Sequence, residues 1–310
     1  MWSKILKCPE ASIYRIELPG PLPGYRQFIT PWLITQTRGS KPLNILIDPG
    51  PGSSIPQLAG KLKELGIHSL DWVFLTHIHI DHAGGVGLLS KSYPSAKVLV
   101  HPRGKRHLAH PEKLWQGSLG TLGTLARLYG EITPAPEDNL VDAAEITCPI
   151  HGISVLDTPG HAPHHLSYLL TLGEQRILFA GEGAGVFMPK AGETPLYMRP
   201  ATPPRFFFNT SVNTLDLLGS TEPTLVCCGH YGVSRQAKET LSLHKEQLHL
   251  WREVIGKYRG SGIDTILGYL LNTDHLLRPF AEFDEEVRQR EKHFLANSIK
   301  GFLESFSQEA

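Results

Sequence analysis

The sequence predicts a mixed fold of α/β (α+β) type, and three observations predict it. Up to His230 the chain runs in short apolar stretches punctuated by glycine and proline, which read as strands. One helical period, with apolar residues at Ile55, Leu58, Leu62 and Leu65, is set among them. After His230 the apolar spacing changes to that of amphipathic helices.

Strands are expected at residues 12–18, 27–36 and 44–47, the last stopping at the Pro-Gly-Pro-Gly run that follows Asp48. A helix follows at 55–65, then strands at 72–75 and 98–100. Residues 102–150 are rich in glycine, leucine and turn formers and read as an insertion carrying one helix at 119–129. Strands resume at 153–156, 166–171, 176–179 and 225–228. Beyond them, Leu241, His244, Leu248, Trp251 and Ile255 share one helical face, as do Leu295, Ile299, Phe302 and Phe306, with a shorter helix at 263–271 between. The expected division is a catalytic domain over 1–234 and a C-terminal helical region over 235–310.

Composition narrows the function classes. Apolar residues make up 41% of 310, enough for a sizeable core, and charged residues 19%. The 30 basic side chains balance 30 acidic ones, which counts against nucleic acid as the main partner, because phosphate neutralisation needs a basic excess. Cys8, Cys148, Cys227 and Cys228 form no C-x-x-C pair, so a thiolate zinc site is not expected, and Cys227-Cys228 read as buried strand thiols. No signal peptide or membrane-length apolar run is read, so a cytoplasmic protein acting on a small molecule is expected.

The chemistry concentrates in His77-Ile78-His79-Ile80-Asp81-His82, which follows an apolar strand and precedes Gly84-Gly85. Imidazole nitrogen and carboxylate oxygen together suit zinc, iron or manganese. In an extended segment residues two apart point the same way, so His77 and His79 can hold one ion while Asp81 and His82 face a second position. The other candidates, His161, Glu182 and His230, also follow strands, so all fall where a rigid sheet can present them from its loops.

These motifs resemble the metallo-β-lactamase superfamily, of the glyoxalase II or lactonase-like kind. The run at 77–82 resembles its first metal motif, and Thr158-Pro159-Gly160-His161 its second. Leu178 to Glu182 and Cys228-Gly229-His230-Tyr231-Gly232 resemble the third and the last. The resemblance implies a four-layer αβ/βα sandwich with a C-terminal helical extension. It implies two divalent metal ions, zinc first, with iron or manganese as alternatives. His77, His79 and His161 would hold one, and Asp81, His82 and His230 the other. Glu182 would stand where the family usually has a bridging aspartate, a departure that leaves one ion as an alternative. His165 matches a hydrogen-bonded structural histidine, and Asp48 an aspartate that supports the first loop.

The resemblance implies hydrolysis by a metal-activated hydroxide, with Asp81 as the catalytic residue that orients it and moves its proton. Apolar residues in the insertion (Leu114, Trp115, Leu119, Leu122, Leu125, Leu128) and in the later loop (Phe187, Met188, Pro195, Tyr197, Phe206, Phe207, Phe208) could wall the site, which favours a carboxylic ester, thioester or lactone. A phosphodiesterase or nuclease and an iron-dependent persulfide dioxygenase are the alternatives. The helical tail could serve a homodimer.

Overall fold

The computed structural model describes residues 1–38, 41–144, 150–189 and 195–308. Cys148 and the end of the insertion lie outside the described residues. The chain divides into two compact units, Met1–Val155 and Leu156–Ala310.

The first unit is built on a seven-stranded mixed sheet in chain order. Its strands are β1 (Trp2–Lys7), β2 (Ala11–Ile16), β3 (Trp32–Arg38), β4 (Lys41–Ile47), β5 (Trp72–Phe74), β6 (Lys97–Val100) and β7 (Leu140–Asp142). β1 to β4 are antiparallel neighbours, and β4 to β7 are parallel. Parallel strands need crossovers. Helices α1 (Ile55–Glu64), α2 (Ile80–Ala83), α3 (Val86–Ser92), α4 (Pro102–Ala109), α5 (Glu112–Leu122) and α6 (Thr124–Tyr129) supply them. Ile45, Leu46, Ile47, Val73, Phe74, Val98 and Leu99 are buried on adjacent strands. That is the near-continuous apolar signature of parallel strands covered on both faces.

Two sequence expectations change here. The strand expected at 27–36 begins only at Trp32, because Gln27 takes a left-handed φ and Ile29 makes an isolated bridge to Leu18. The helix expected at 119–129 is two helices, broken where Gly123 adopts φ +54. The basic stretch after His101 forms helix α4, and the His101 Nδ1 accepts from the Arg103 N–H at its start.

The second unit holds a five-stranded sheet in the order β14-β13-β10-β9-β8, and the boundary between the units falls within β8. These strands are β8 (Ile153–Asp157), β9 (Leu166–Leu172), β10 (Gln175–Gly181), β13 (Leu225–Cys228) and β14 (Val233–Ser234). β11 (Val186–Pro189) and β12 (Pro195–Arg199) form a separate ribbon. Helix α7 (Phe208–Ser220) leads into β13, making β10 and β13 parallel neighbours. The tail is α8 (Ala237–Tyr258), α9 (Ile263–Thr273) and α10 (Glu285–Gln308).

Leu241, His244, Leu248, Trp251 and Ile255 of α8 are all buried, as their spacing predicts. The four apolar ones join Leu178, Phe187, Tyr197, Phe206, Leu295, Ile299 and Phe302 in one core. That placement corrects the expectation for the later loop. Phe187, Tyr197, Phe206 and Phe208 fill the core of this unit, and only Phe207 of that group is largely exposed. Among the described residues, the apolar side chains of the insertion remain the expected candidates for a wall. There α5 keeps Leu114, Trp115, Leu119 and Leu122 half-buried, beside α2.

Candidate metal centre

In the first unit the parallel strands deliver their following residues to one edge. Asp48 follows β4 and Thr76 follows β5. Asp48 sits at φ +49, a left-handed conformation that costs a non-glycine residue about 1 kcal/mol. Three hydrogen bonds hold it there. Its carboxylate accepts from the Thr76 N–H at 2.8 Å, from the Thr76 hydroxyl at 2.6 Å and from His82 Nδ1 at 3.1 Å.

These bonds set the tautomers. The Thr76 hydroxyl spends its proton on Asp48, so at 3.0 Å it accepts from His77 Nδ1. His77 and His82 therefore both keep their lone pairs on Nε2. A ligating histidine typically has its other ring nitrogen fixed in this way by an outer partner. His79 is extended (φ −61, ψ 149) and starts α2, which carries Asp81 and His82 on its single turn. The rings of His77 and His79 lie 4.5 Å apart, and those of His77 and His82 4.3 Å. His82 Nε2 is 3.8 Å from Asp81 Oδ2. The whole run is thus gathered, with His77 and His82 each about 1% exposed. Gly85 is required below it, since a Cβ there would lie 2.8 Å from the Gly50 carbonyl and closer still to Ile55.

In the second unit the ligand candidates come from separate loops. β10 and β13 run parallel with Gly181 opposite Cys228, so Glu182 and His230 emerge side by side. The Gly229 N–H donates to the Gly181 carbonyl at 2.9 Å and locks that register. His161 lies in the β8–β9 loop, closed by the Thr158 N–H donating to the His165 carbonyl. His161 Nε2 is 3.0 Å from Glu182 Oε2, and His230 Nε2 is 3.6 Å from Glu182 Oε1. Each oxygen of one carboxylate faces a different imidazole.

Whether these residues fit a metal can be tested on His161. Its Nδ1–H donates to the Ala201 carbonyl at 2.8 Å, which leaves the lone pair on Nε2. That lone pair meets a carboxylate oxygen at hydrogen-bond distance, and two acceptors so placed need a cation or a proton between them. A nitrogen–oxygen donor set with a carbonyl-anchored histidine fits a divalent cation.

His165 has the structural role expected of it. Its Nδ1 donates to the Thr158 hydroxyl at 2.9 Å, and its Nε2 accepts from the Glu182 N–H at 3.3 Å. Both nitrogens are committed to positioning the loop and the backbone of Glu182. Burial, then the charge of Glu182, pushes the Cys228 thiol up, so it stays a protonated core residue.

The tail has a role that sequence reasoning missed. Ala201, which anchors His161, sits just past β12. That segment is held by Arg199 Nε donating to Glu291 Oε2 of α10 at 2.6 Å, and by the Thr202 N–H and hydroxyl against Ser298. Gln247 of α8 donates to the Met198 carbonyl at 2.8 Å. Tyr197 donates its hydroxyl to Glu291, so this tyrosine is spent on structure. Glu291 and Arg199 are buried, and Arg290 donates to the other Glu291 oxygen at 2.8 Å. Burial alone would push the Glu291 carboxyl up; Arg199 and Arg290 outweigh it and hold the group below the ordinary range. The same Arg290 lies over the ring of Tyr231, the residue after His230, at 5.2 Å.

Comparison with known proteins agrees with this architecture. The signature of the metallo-beta-lactamase superfamily matches residues 30–230. The chain is 28% identical over 221 residues to a metallo-beta-lactamase fold-containing protein of Sulfurisphaera tokodaii, covering 67% of this chain and 78% of that one. It is 26% identical over 270 residues to a hydroxyacylglutathione hydrolase of Vibrio campbellii, covering 86% and 88%. A metallo-beta-lactamase family protein of Thermus thermophilus shares the fold over 96% of this chain and 93% of its own, with a TM-score of 0.65 at 21% identity. With its motifs, sheets and histidine–carboxylate clusters in place, the chain belongs to the metallo-β-lactamase superfamily and is a metal-dependent hydrolase of that fold.

Proposed function

We propose that this hydrolase cleaves a carboxylic ester, thioester or lactone. In this reading His77, His79 and His161 hold one divalent cation, Asp81, His82 and His230 hold a second, and Glu182 is the carboxylate shared between them. Zinc is the first choice for both. The observation that carries the reading is Glu182, whose two oxygens face His161 and His230 separately, at 3.0 and 3.6 Å. The extra methylene relative to aspartate does not prevent that posture, which favours two ions over one.

The bound cations supply Lewis acidity and an activated water near neutral pH. The remaining work falls to side chains. Asp81 orients the attacking water and carries its proton toward the leaving group. Asp48 and Thr76 keep His77 and His82 presenting Nε2. The half-buried apolar side of α5 excludes water and receives a hydrocarbon portion of the substrate. Support for an acyl substrate comes from that apolar helix, from the balanced charge, and from relatives named hydroxyacylglutathione hydrolases. Among the described residues no helix is long and apolar enough to cross a membrane. A cytoplasmic site of action is part of the proposal.

Elemental analysis of the purified protein combined with a substrate screen tests the reading. The expected result is about two zinc ions per chain and turnover of p-nitrophenyl acyl esters, thioesters or acyl lactones. Turnover of bis(p-nitrophenyl) phosphate alone, or iron with substrate-dependent oxygen uptake, would overturn it.

A further inference from the structure

Cations gather in one part of the first unit. Across α4, α5 and α6 the side chains of Arg103, Lys105, Arg106, Lys113 and Arg127 stand against a single acid, Glu112, in a chain that is neutral as a whole. On α4, Arg103, Arg106 and His110 recur at helical spacing along one exposed side, with Gly104, Leu108 and Ala109 buried behind them. His110 meets Glu137 at 3.2 Å. Among the described residues no ion pair involves Lys105, Arg106, Lys113 or Arg127.

Folding gains nothing from this arrangement. Like charges a turn apart on a helix repel each other. The first turn of α4 holds Arg103 and no acid, so a cation sits at the positive end of the helix dipole. A bound anion offsets both.

The strip also has a defined place. β5 and β6 are parallel, with Phe74 opposite Leu99, so α4 leaves the same edge of the sheet as the run that starts at His77. A Cβ at Gly104 would stand 2.7 Å from Ile78 Cγ2 and 2.9 Å from Val100 Cγ2, so glycine lets α4 lie this close to the residue between His77 and His79. Next to α4, α5 contains no buried residue, and its apolar side lies half-covered beside α2, which carries Asp81. A cationic strip and an apolar strip therefore adjoin the same ligands.

We infer that the α4 strip binds phosphate groups, and that the substrate is an acyl thioester whose thiol portion is phosphorylated. The inference rests on the acyl-hydrolase reading above and narrows it. The acyl chain lies along α5 and the phosphates along α4. Hydrolysis breaks the carbon–sulfur bond, with water giving its hydroxyl to the acyl carbon and its proton to the sulfur, and the phosphorylated thiol departs from α4. Guanidinium groups pair with phosphate through two parallel hydrogen bonds. Several cations without acidic partners call for a ligand with several negative charges. A peptide thiol brings fewer, because an ammonium group offsets part of its carboxylate charge.

The test gives the metal-loaded protein one acyl group, butanoyl, on pantetheine, phosphopantetheine, coenzyme A or glutathione. The value of kcat/KM is expected to rise with phosphate content, by about tenfold or more from pantetheine to coenzyme A, and the gap should shrink as salt is added. Arg103→Gln and Arg106→Gln should each cut that ratio by about threefold or more, through KM rather than kcat, and Arg106→Glu should cut it further. A thiol-free adenosine bisphosphate gives a second readout: it should compete with the coenzyme A thioester more strongly than with the pantetheine thioester. Equal kcat/KM on pantetheine and coenzyme A, a preference for the glutathione thioester, or a ratio unmoved by both arginine substitutions would overturn the inference and leave the hydrolase reading standing. Turnover of no acyl ester, thioester or lactone would remove both. Cleavage of RNA that is lost in Arg106→Glu would assign the strip to nucleic acid and overturn the inference.

Discussion

The two groups of candidate ligands are built in opposite ways. In the first unit, His77, His79, Asp81 and His82 are neighbours in sequence, and one buried carboxylate, Asp48, organises them through Thr76 and His82. In the second unit, His161, Glu182 and His230 come from three separate loops. Strand pairing brings two of them together, and a carbonyl held by the C-terminal helices fixes the third. One group depends on a local loop and the other on the packing of a whole unit. The difference teaches that similar coordination chemistry can carry different vulnerabilities. The first should fail by losing tautomer control, and the second by losing tertiary structure.

The largest expected effect is chemical. Asp81→Asn keeps the shape of the side chain and removes its charge, and should lower kcat by about 10²–10⁴-fold. Steady-state kinetics with parallel metal analysis checks it; wild-type turnover would show that Asp81 carries no proton.

Next comes the network behind His161. Glu291→Gln leaves Arg199 and Arg290 buried around a neutral side chain and should cost about 3–5 kcal/mol of stability at neutral pH. The sign of its pH dependence follows from the depressed carboxyl of Glu291. Its contribution is fully present above the ordinary carboxylate pKa of about 4.3 and is lost as pH falls through the lower folded value. The gap between wild type and variant in thermal unfolding should therefore narrow in acid, and a gap that widened would break the assignment.

Asp48→Asn attacks the other group. It should weaken metal binding by about 10–100-fold with a smaller loss of stability. Competition with a chromogenic chelator measures it. Equal damage to stability from Asp48→Asn and Glu291→Gln would erase the contrast between local and tertiary control.

The smallest effect is expected at Thr158→Val, which removes the partner of His165 Nδ1 and should cost about 1 kcal/mol with little change in metal content. A large metal loss instead would mean that the posture of Glu182 depends on the 3.3 Å bond from its N–H to His165.

Much of this was legible before any coordinates. The run at 77–82 announces a metal site because three imidazoles and a carboxylate so close together have few other uses. The face of α8 is legible because its spacing matches 3.6 residues per turn, and all five positions of that face are buried. Other features left no local trace. Phe187, Phe206 and Phe208 looked like loop residues able to line a pocket, yet they are core, because apolar composition cannot say which side of a sheet a residue will face. Gly123 broke an apparently continuous helix, since its left-handed φ is a choice of backbone that helical spacing does not encode.

By itself the sequence determined the chemistry available: which side chains can bind a metal, that they follow strands, and that amphipathic helices come after His230. Tertiary structure decided their states. The tautomers of His77, His82 and His161 depend on Thr76, Asp48 and Ala201, residues whose partnership arises only when distant strands pair. The physical reason is the same in each case. Ligand type is a property of one residue, whereas proton position and burial are properties of its neighbours, and those neighbours are set by packing.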